Sequence, residues 1–152
     1  MTSFESLQSD IARAIGFDIT LVNVDDDEKH LDSPEFLFSV AAIIIAAWCK
    51  GFLEAAAKDL GDKVWKGLKE RVTTWIAGRP KQTLDLEDQD LGRQVFVLVR
   101  EIMVSIQDEK EENYREHAED GVVGLLKEYN FPPGKADQLV RQLEKKLRGP
   151  KD

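Results

Sequence analysis

The fold is set by how the chain buries the stretch 36-FLFSVAAIIIAAWCKGFLEAAAKDLGDKVWKGLKERV-72. Its first fourteen residues, 36–49, carry no charge. The triplet 33-SPE-35 just before them supplies a cap, a first-turn proline and a first-turn acid, which together are typical of a helix start. These features predict a helix that runs to a break at Gly61, followed by a second helix over 62–77.

The first half of this stretch is short for a membrane-spanning helix. A span needs about 20 mainly apolar residues, whereas the uncharged run ends after fourteen, at Lys50. A buried core helix is therefore the favoured interpretation of residues 36–53. Membrane insertion stays open as an alternative, because a lysine near the end of a span can reach the interface.

The second half, residues 62–77, combines tryptophan with lysine on an amphipathic helix. Helices that lie in a lipid headgroup layer have this composition, and so do helices that cover a core and keep their lysines in water. We therefore predict an interaction or membrane surface formed by Trp65, Lys66, Leu68, Lys69, Val72 and Trp75.

Two other parts of the chain predict β-structure. The alternating 17-FDITLVNV-24 indicates a strand, and the segments 83-TLDL-86 and 95-VFVLVREIMVSI-106, rich in β-branched residues, indicate a hairpin. The second hairpin segment also allows a helix, because five apolar residues recur at helical spacing: Leu91, Val95, Leu98, Ile102 and Ile106. An all-α helical bundle is therefore the alternative fold.

Three more helices complete the prediction: one that begins with a Thr2–Glu5 capping box and stops at Gly16, one that ends at about Tyr129, and one over 135–147. The predicted fold class is α+β, in the order α-β-α-α-β-β-α-α. A small, mainly antiparallel sheet of about three strands would be covered by helices. The length of 152 residues fits a single domain, 1–152.

Charge and cysteine content narrow the classes of partner. The net charge of −8 is uneven: residues 82–132 are strongly acidic and residues 50–81 are basic. Acidic segments would repel phosphates, so we expect no nucleic-acid partner. The single cysteine, Cys49, cannot form an internal disulfide, and no signal-peptide pattern begins the chain. A cytoplasmic protein, or one peripheral at the membrane, is expected.

No motif for catalysis, cofactor binding or metal binding emerges. The acidic segment 25-DDDEKHLD-32 lacks the glycine and the glutamate of a calcium-binding loop, so no metal is predicted. Phosphate-binding glycine loops and zinc-ligand spacings are missing, and no cofactor is expected. A small enzyme with a site built from Cys49, His30 or His117 remains an alternative, because such residues can meet in space.

The order of a strand (19-ITLVNV-24), an Ala- and Ile-rich helix pair (36–77) and a hairpin (83-TLDLEDQDLGRQVFVLV-99) resembles small effector-associated accessory domains of bacterial conflict systems. The resemblance covers about half the chain, and the two C-terminal helices depart from it. It implies an adaptor or a membrane-linked module, and it assigns no site residues.

The sequence thus predicts a non-enzymatic interaction or adaptor domain, set in a bacterial defence or signalling system. Its partner would be another protein or a second copy of the chain, as in a homodimer. The alternative is an effector that associates with or inserts into a membrane through helices 36–77.

Overall fold

The structure is a computed structural model, and it describes residues 3–16, 34–61, 63–78, 85–106 and 108–148. Within these ranges all regular structure is helical. Six helices follow one another along the chain: α1 (Phe4–Ile15), α2 (Pro34–Leu60), α3 (Lys63–Ala77), α4 (Leu86–Ser105), α5 (Asp108–Glu128) and α6 (Pro133–Arg148). The α+β prediction is therefore wrong, and the all-α alternative describes the fold.

The helix α2 is the centre of the molecule. Every residue from Ser39 to Cys49 is buried, and α1, α3, α4 and α5 all pack on this helix. The remaining helix, α6, reaches it through Glu144, which accepts a hydrogen bond from the Trp48 indole nitrogen at 3.2 Å. A helix that is apolar all round must be covered on every side, and the predicted core position of this segment is confirmed.

The surrounding helices are amphipathic, and each buries one apolar stripe in the core. On α1 the stripe is Phe4, Leu7, Ile11 and Ile15, as the sequence predicts. Ser3 caps this helix by accepting a hydrogen bond from the backbone N–H of Ser6 at 3.0 Å. On α6 the stripe includes Leu139, Leu143 and Leu147.

Residues 86–105, predicted as part of a hairpin, form the continuous helix α4. The β-branched residues fit this helix because the buried ones fall on one face: Val95, Val99 and Ile102. Helix propensity costs a β-branched residue only a few tenths of a kcal/mol, whereas burying one stabilises the fold by about 1.5–3 kcal/mol. The predicted strand over 17–24 and residues 83–84 lie outside the described residues.

A short chain of buried amides joins three helices. The side chain of Gln89 on α4 donates to the side-chain oxygen of Gln8 on α1 at 2.9 Å. Gln8 in turn donates to the backbone carbonyl of Phe38 on α2, also at 2.9 Å. Polar side chains are seldom left in a core without such partners, so this chain fixes how α1 and α4 sit against α2.

The closest backbone approach at a described helical glycine joins α2 to α5. A Cβ atom placed on Gly51 would lie 2.8 Å from the Cα of Ala118 and 3.2 Å from the carbonyl oxygen of His117. Gly67 on α3 is the opposite case, because a Cβ there meets nothing within 4 Å. The first glycine is required by packing, and the second is not.

These two glycines give a matched pair of substitutions. Gly51→Ala should lower the free energy of unfolding by about 1–3 kcal/mol, because the backbone of α5 must move away. Gly67→Ala should raise it by about 0.5–1 kcal/mol, since alanine is the better helix former and has room. Urea denaturation followed by circular dichroism measures both, and equal effects of the two variants would contradict the close α2–α5 contact.

Candidate interaction surface

The predicted surface on 62–77 is divided by the fold. Trp65, Leu68 and Val72 lie in the core, and Trp75 is partly buried against it. Lys66 and Lys69 are exposed on the opposite side of α3. The structure therefore separates the aromatic residues from the lysines, and the exposed face of α3 is basic, with Lys63 and Arg71 extending it.

The candidate nucleophile and base also occupy different environments. Cys49 is fully buried, and this burial raises the pKa of its thiol, so the thiol stays protonated. His117 is half exposed, with its Nε2 3.7 Å from a carboxylate oxygen of Glu54. His30 lies outside the described residues. Among the described residues, no three histidine, cysteine or acidic side chains are grouped to hold a metal ion.

A partly buried acidic pair, Glu119 and Glu144, lies where α5 and α6 meet near Trp48 of the central helix. Glu144 is 13% exposed, and its carboxylate lies within 4.0 Å of the Arg115 guanidinium. Burial, reinforced by the hydrogen bond and the charge of neighbouring Glu119, raises the pKa of Glu144 to about 7. The donated hydrogen bond from Trp48 and the charge of Arg115 act in the opposite direction.

The outer face of α4 carries three of the five large apolar side chains that are exposed in the described part of the chain. Val104 is 89% exposed, Leu86 82% and Val97 52%. Val97 and Val104 are seven residues apart, so they lie on one side of the helix. We call this side the α4 ridge and define it by Arg93, Val97, Arg100, Glu101 and Val104.

A groove of about 470 Å³ runs between the α4 ridge and the start of α1. Its apolar floor is formed by Phe4 and Phe96, whose ring centroids are 6.0 Å apart in an edge-to-face arrangement. Both rings belong to the core, and Val97 and Val104 line the groove toward solvent. The site is thus apolar at its base and charged at its rim.

A second groove, of about 540 Å³, lies on the other side of the ridge. It separates α4 from the start of α5 and the end of α6, and Met103 and Leu147 contribute apolar surface to it. On the side formed by α5 and α6, Arg148 donates to Glu111 at 2.7 Å. Arg100 and Val104 line both grooves, so the ridge stands between two depressions.

Charges of both signs rim the ridge. Arg93 forms ion pairs with Glu5 on α1 and with Asp90 one turn earlier on α4. The guanidinium of Arg100 lies 5.6 Å from the centroid of the Phe96 ring, a cation–π arrangement. Glu101 is exposed beside them. The surface therefore offers an apolar centre with a mixed-charge rim.

Sequence reasoning missed this surface because it assigned residues 95–106 to a strand. The spacing of Arg93, Val97 and Glu101, four residues apart, places them in one row of a helix. The signal was present in the alternative helical periodicity, whose apolar residues mark the opposite, buried face. Had residues 95–106 been assigned to a helix, Val97 and Val104 would have been identified as apolar residues on the side that faces away from the core.

The sequence matches no protein-family model. No curated protein and no solved structure is significantly similar to the chain.

Glu144 gives the fold a pH dependence of definite sign. Its pKa lies near 7 in the folded chain and at the ordinary 4.5 when unfolded, so between these values the folded state binds more protons. Stability should therefore fall as the pH rises from 5 to 8. Glu144→Gln mimics the protonated acid and should raise the free energy of unfolding by roughly 1–2 kcal/mol at pH 8, with less effect at pH 5.

Glu116→Gln on the exposed side of α5 is the control for this experiment. It removes the same charge from the same part of the chain without touching the buried pair. Urea denaturation at pH 5, 6, 7 and 8 gives the comparison. An identical pH dependence for Glu144→Gln and the unmodified chain would contradict the assignment.

Proposed function

We propose that the protein is a non-catalytic interaction domain, an adaptor that binds an amphipathic helix of a protein partner on the α4 ridge and in its grooves. The observation that supports it is the exposed apolar row of Val97 and Val104 above the Phe4–Phe96 floor. A bacterial defence or signalling system is the setting that we propose for this adaptor, following the sequence resemblance.

The shape of the surface favours a helical partner. A helix lying in a groove anchors itself through side chains at spacings of three, four and seven residues. The groove beside α1 provides a floor of two aromatic rings, and aromatic residues are enriched where interfaces bind most strongly. The rim charges Arg93, Arg100, Glu5 and Glu101 would hold the partner in register without raising affinity much.

Burial of the ridge would give a favourable free energy. A valine side chain taken fully out of water contributes about 1.5–3 kcal/mol, and Val104 is nearly fully exposed in the free chain. Exposed apolar patches with polar rims are typical of protein interaction sites. The proposal therefore places the function on the outside of α4, while its inside serves the core.

Site-specific photo-crosslinking tests this proposal. A benzophenone amino acid replaces Gln94, which is exposed next to the ridge, and a second version carries it at exposed Gln142 on α6 as the matched control. In source cells, defined adducts should form from position 94 and not from position 142. They should be lost when Val97→Asp and Val104→Asp are added, because the apolar row is then charged.

Adducts that survive the two aspartates, or that form equally from both positions, would contradict a binding surface on α4. Circular dichroism of each variant verifies that the fold is intact. Both valines are on the solvent side, so their replacement should leave the core unchanged.

A second candidate function, membrane association, is favoured by two observations. The 26 residues 35–60 are helical and contain an 18-residue window with a mean hydropathy of 2.1, of which 78% is buried in the bundle, so the helix has the length and composition to cross a bilayer. The exposed face of α3 carries Lys63, Lys66 and Lys69, and each basic residue near an anionic leaflet contributes about 1 kcal/mol of attraction. In the bundle, α2 is covered, so this function requires the surrounding helices to separate.

Vesicle sedimentation tests the second candidate. Anionic vesicles at low salt should bind the chain, and the triple variant Lys63→Gln, Lys66→Gln and Lys69→Gln should bind at least tenfold more weakly. Neutral vesicles provide the control for the charge. Failure of the unmodified chain to sediment with anionic vesicles at low salt would remove this candidate.

A further inference from the structure

We infer that α6 is a latch on the bundle, which releases when the carboxyl groups of Glu119 and Glu144 are both ionised and thereby opens one of the two grooves beside the α4 ridge. The latch is independent of the proposed function, whereas its effect on partner binding rests on that function. The attachment of α6, the charges around Glu144 and the position of Arg115 support it.

The helix α6 is attached mainly to the outer helices. It packs on α1 and α5 and reaches α2 through the hydrogen bond from Trp48 to Glu144. Two ion pairs fasten its C-terminal part: Lys146 with Asp10 on α1 at 3.1 Å, and Arg148 with Glu111 on α5 at 2.7 Å. The turn that joins it to α5 contains Asn130 in the left-handed conformation, with a φ of 56°. Hinges need only a few residues to change their backbone angles, so α6 can separate while the other helices stay packed on α2.

The charges around Glu144 are mostly negative. In the described part of the chain, the titratable groups that face it line a cavity of about 470 Å³ between α5 and α6: Arg115, Glu119, Asp120, Asp137 and Arg141. From α2 the facing group is the neutral indole of Trp48, and Asp10 on α1 is engaged by its ion pair to α6. The Arg115 guanidinium lies 3.6 Å from Glu119 and 4.0 Å from Glu144, so one base is shared by two acids. Two ionised acids in such a site disfavour each other.

The docked helix therefore favours a protonated Glu144. Burial, reinforced by the hydrogen bond and the charge of Glu119, raises the pKa of Glu144 to about 7, whereas a released α6 exposes the group at its ordinary value of 4.5. Between these values the docked form binds more protons than the released form, and its advantage is lost as the pH rises. The equilibrium constant for opening should rise about tenfold from pH 6 to pH 8 and level off above that.

The opening of α6 changes the larger groove beside the α4 ridge. Leu147 and Arg148 of α6 line this groove of about 540 Å³, and they leave it when α6 separates. Arg115 lines both this groove and the cavity around Glu144, so the two places share one guanidinium. A partner helix on the ridge would thus meet a wider groove when Glu144 is ionised than when it is protonated.

Amide hydrogen exchange of the full chain, followed by mass spectrometry at pH 6, 7 and 8, tests the latch. After correction for the intrinsic exchange rates, the amides of α6 should exchange through openings that leave α2 protected, and their opening constant should rise about tenfold over this range. Glu144→Gln removes the titrating group and should reduce the rise to no more than about twofold.

Two further variants separate a role of the acidic pair from a general effect of charge. Glu119→Gln keeps Glu144 but removes the neighbouring acid, so the docked Glu144 should ionise at a lower pH and the rise between pH 6 and 8 should shrink. Glu116→Gln on the exposed side of α5 should keep the full rise. Circular dichroism verifies that each variant is folded.

Several results would overturn the latch. Opening constants of α6 that equal those of α2 at every pH mean that α6 separates only when the whole chain unfolds. A tenfold rise that persists in Glu144→Gln, or that disappears in Glu116→Gln, removes the acidic pair as its cause. The crosslinks from position 94 report separately on the proposed function, because neither acid lies on the α4 ridge. A latch that opens as expected in a chain that forms no such crosslinks would stand while the proposed function fails.

Discussion

The burial of α2 is the constraint from which the rest of the structure follows. Residues 39–49 of the 27-residue helix α2 carry no charge on any side, so this segment has no polar face to turn toward water. It therefore requires neighbours on every side, and the amphipathic helices supply them by each turning one apolar stripe inward. The polar faces of the same helices point to the solvent and carry the surface charge of the molecule.

The helix α4 carries exposed apolar residues on its outer side as well as a buried apolar stripe on its inner side. Its inner stripe belongs to the core. On the outer side, the described part of the chain leaves Val97 and Val104 exposed. If α4 only had to bury its inner stripe, its outer face would be expected to be polar throughout. The two exposed valines, framed by Arg93 and Glu101, are better explained by a second surface that binds.

The sequence predicted the central part of the fold and missed the part that carries the proposed site. The proline start before residue 36 and the uncharged run after it correctly predict α2, because they reflect capping and burial within one segment. The strand predicted for residues 95–106 is wrong, since β-branched content reports a propensity of a few tenths of a kcal/mol, which the tertiary burial of Val95, Val99 and Ile102 overrides. The amphipathic pattern of 62–77 fits a core face and an exposed face equally well, because the outcome depends on which other helices pack against its aromatic side. The resemblance to accessory domains remains a prediction.

The buried amide chain from Gln89 through Gln8 to the carbonyl of Phe38 sets the rotational phase of α4. Apolar contacts alone tolerate a helix turning about its own axis, since one aliphatic side chain can replace another with little change in free energy. A donor and acceptor pair does not tolerate this, because a rotation of one residue leaves a buried amide without a partner. The side of the molecule toward which Val97 points is thus determined in the core, by two buried glutamine side chains.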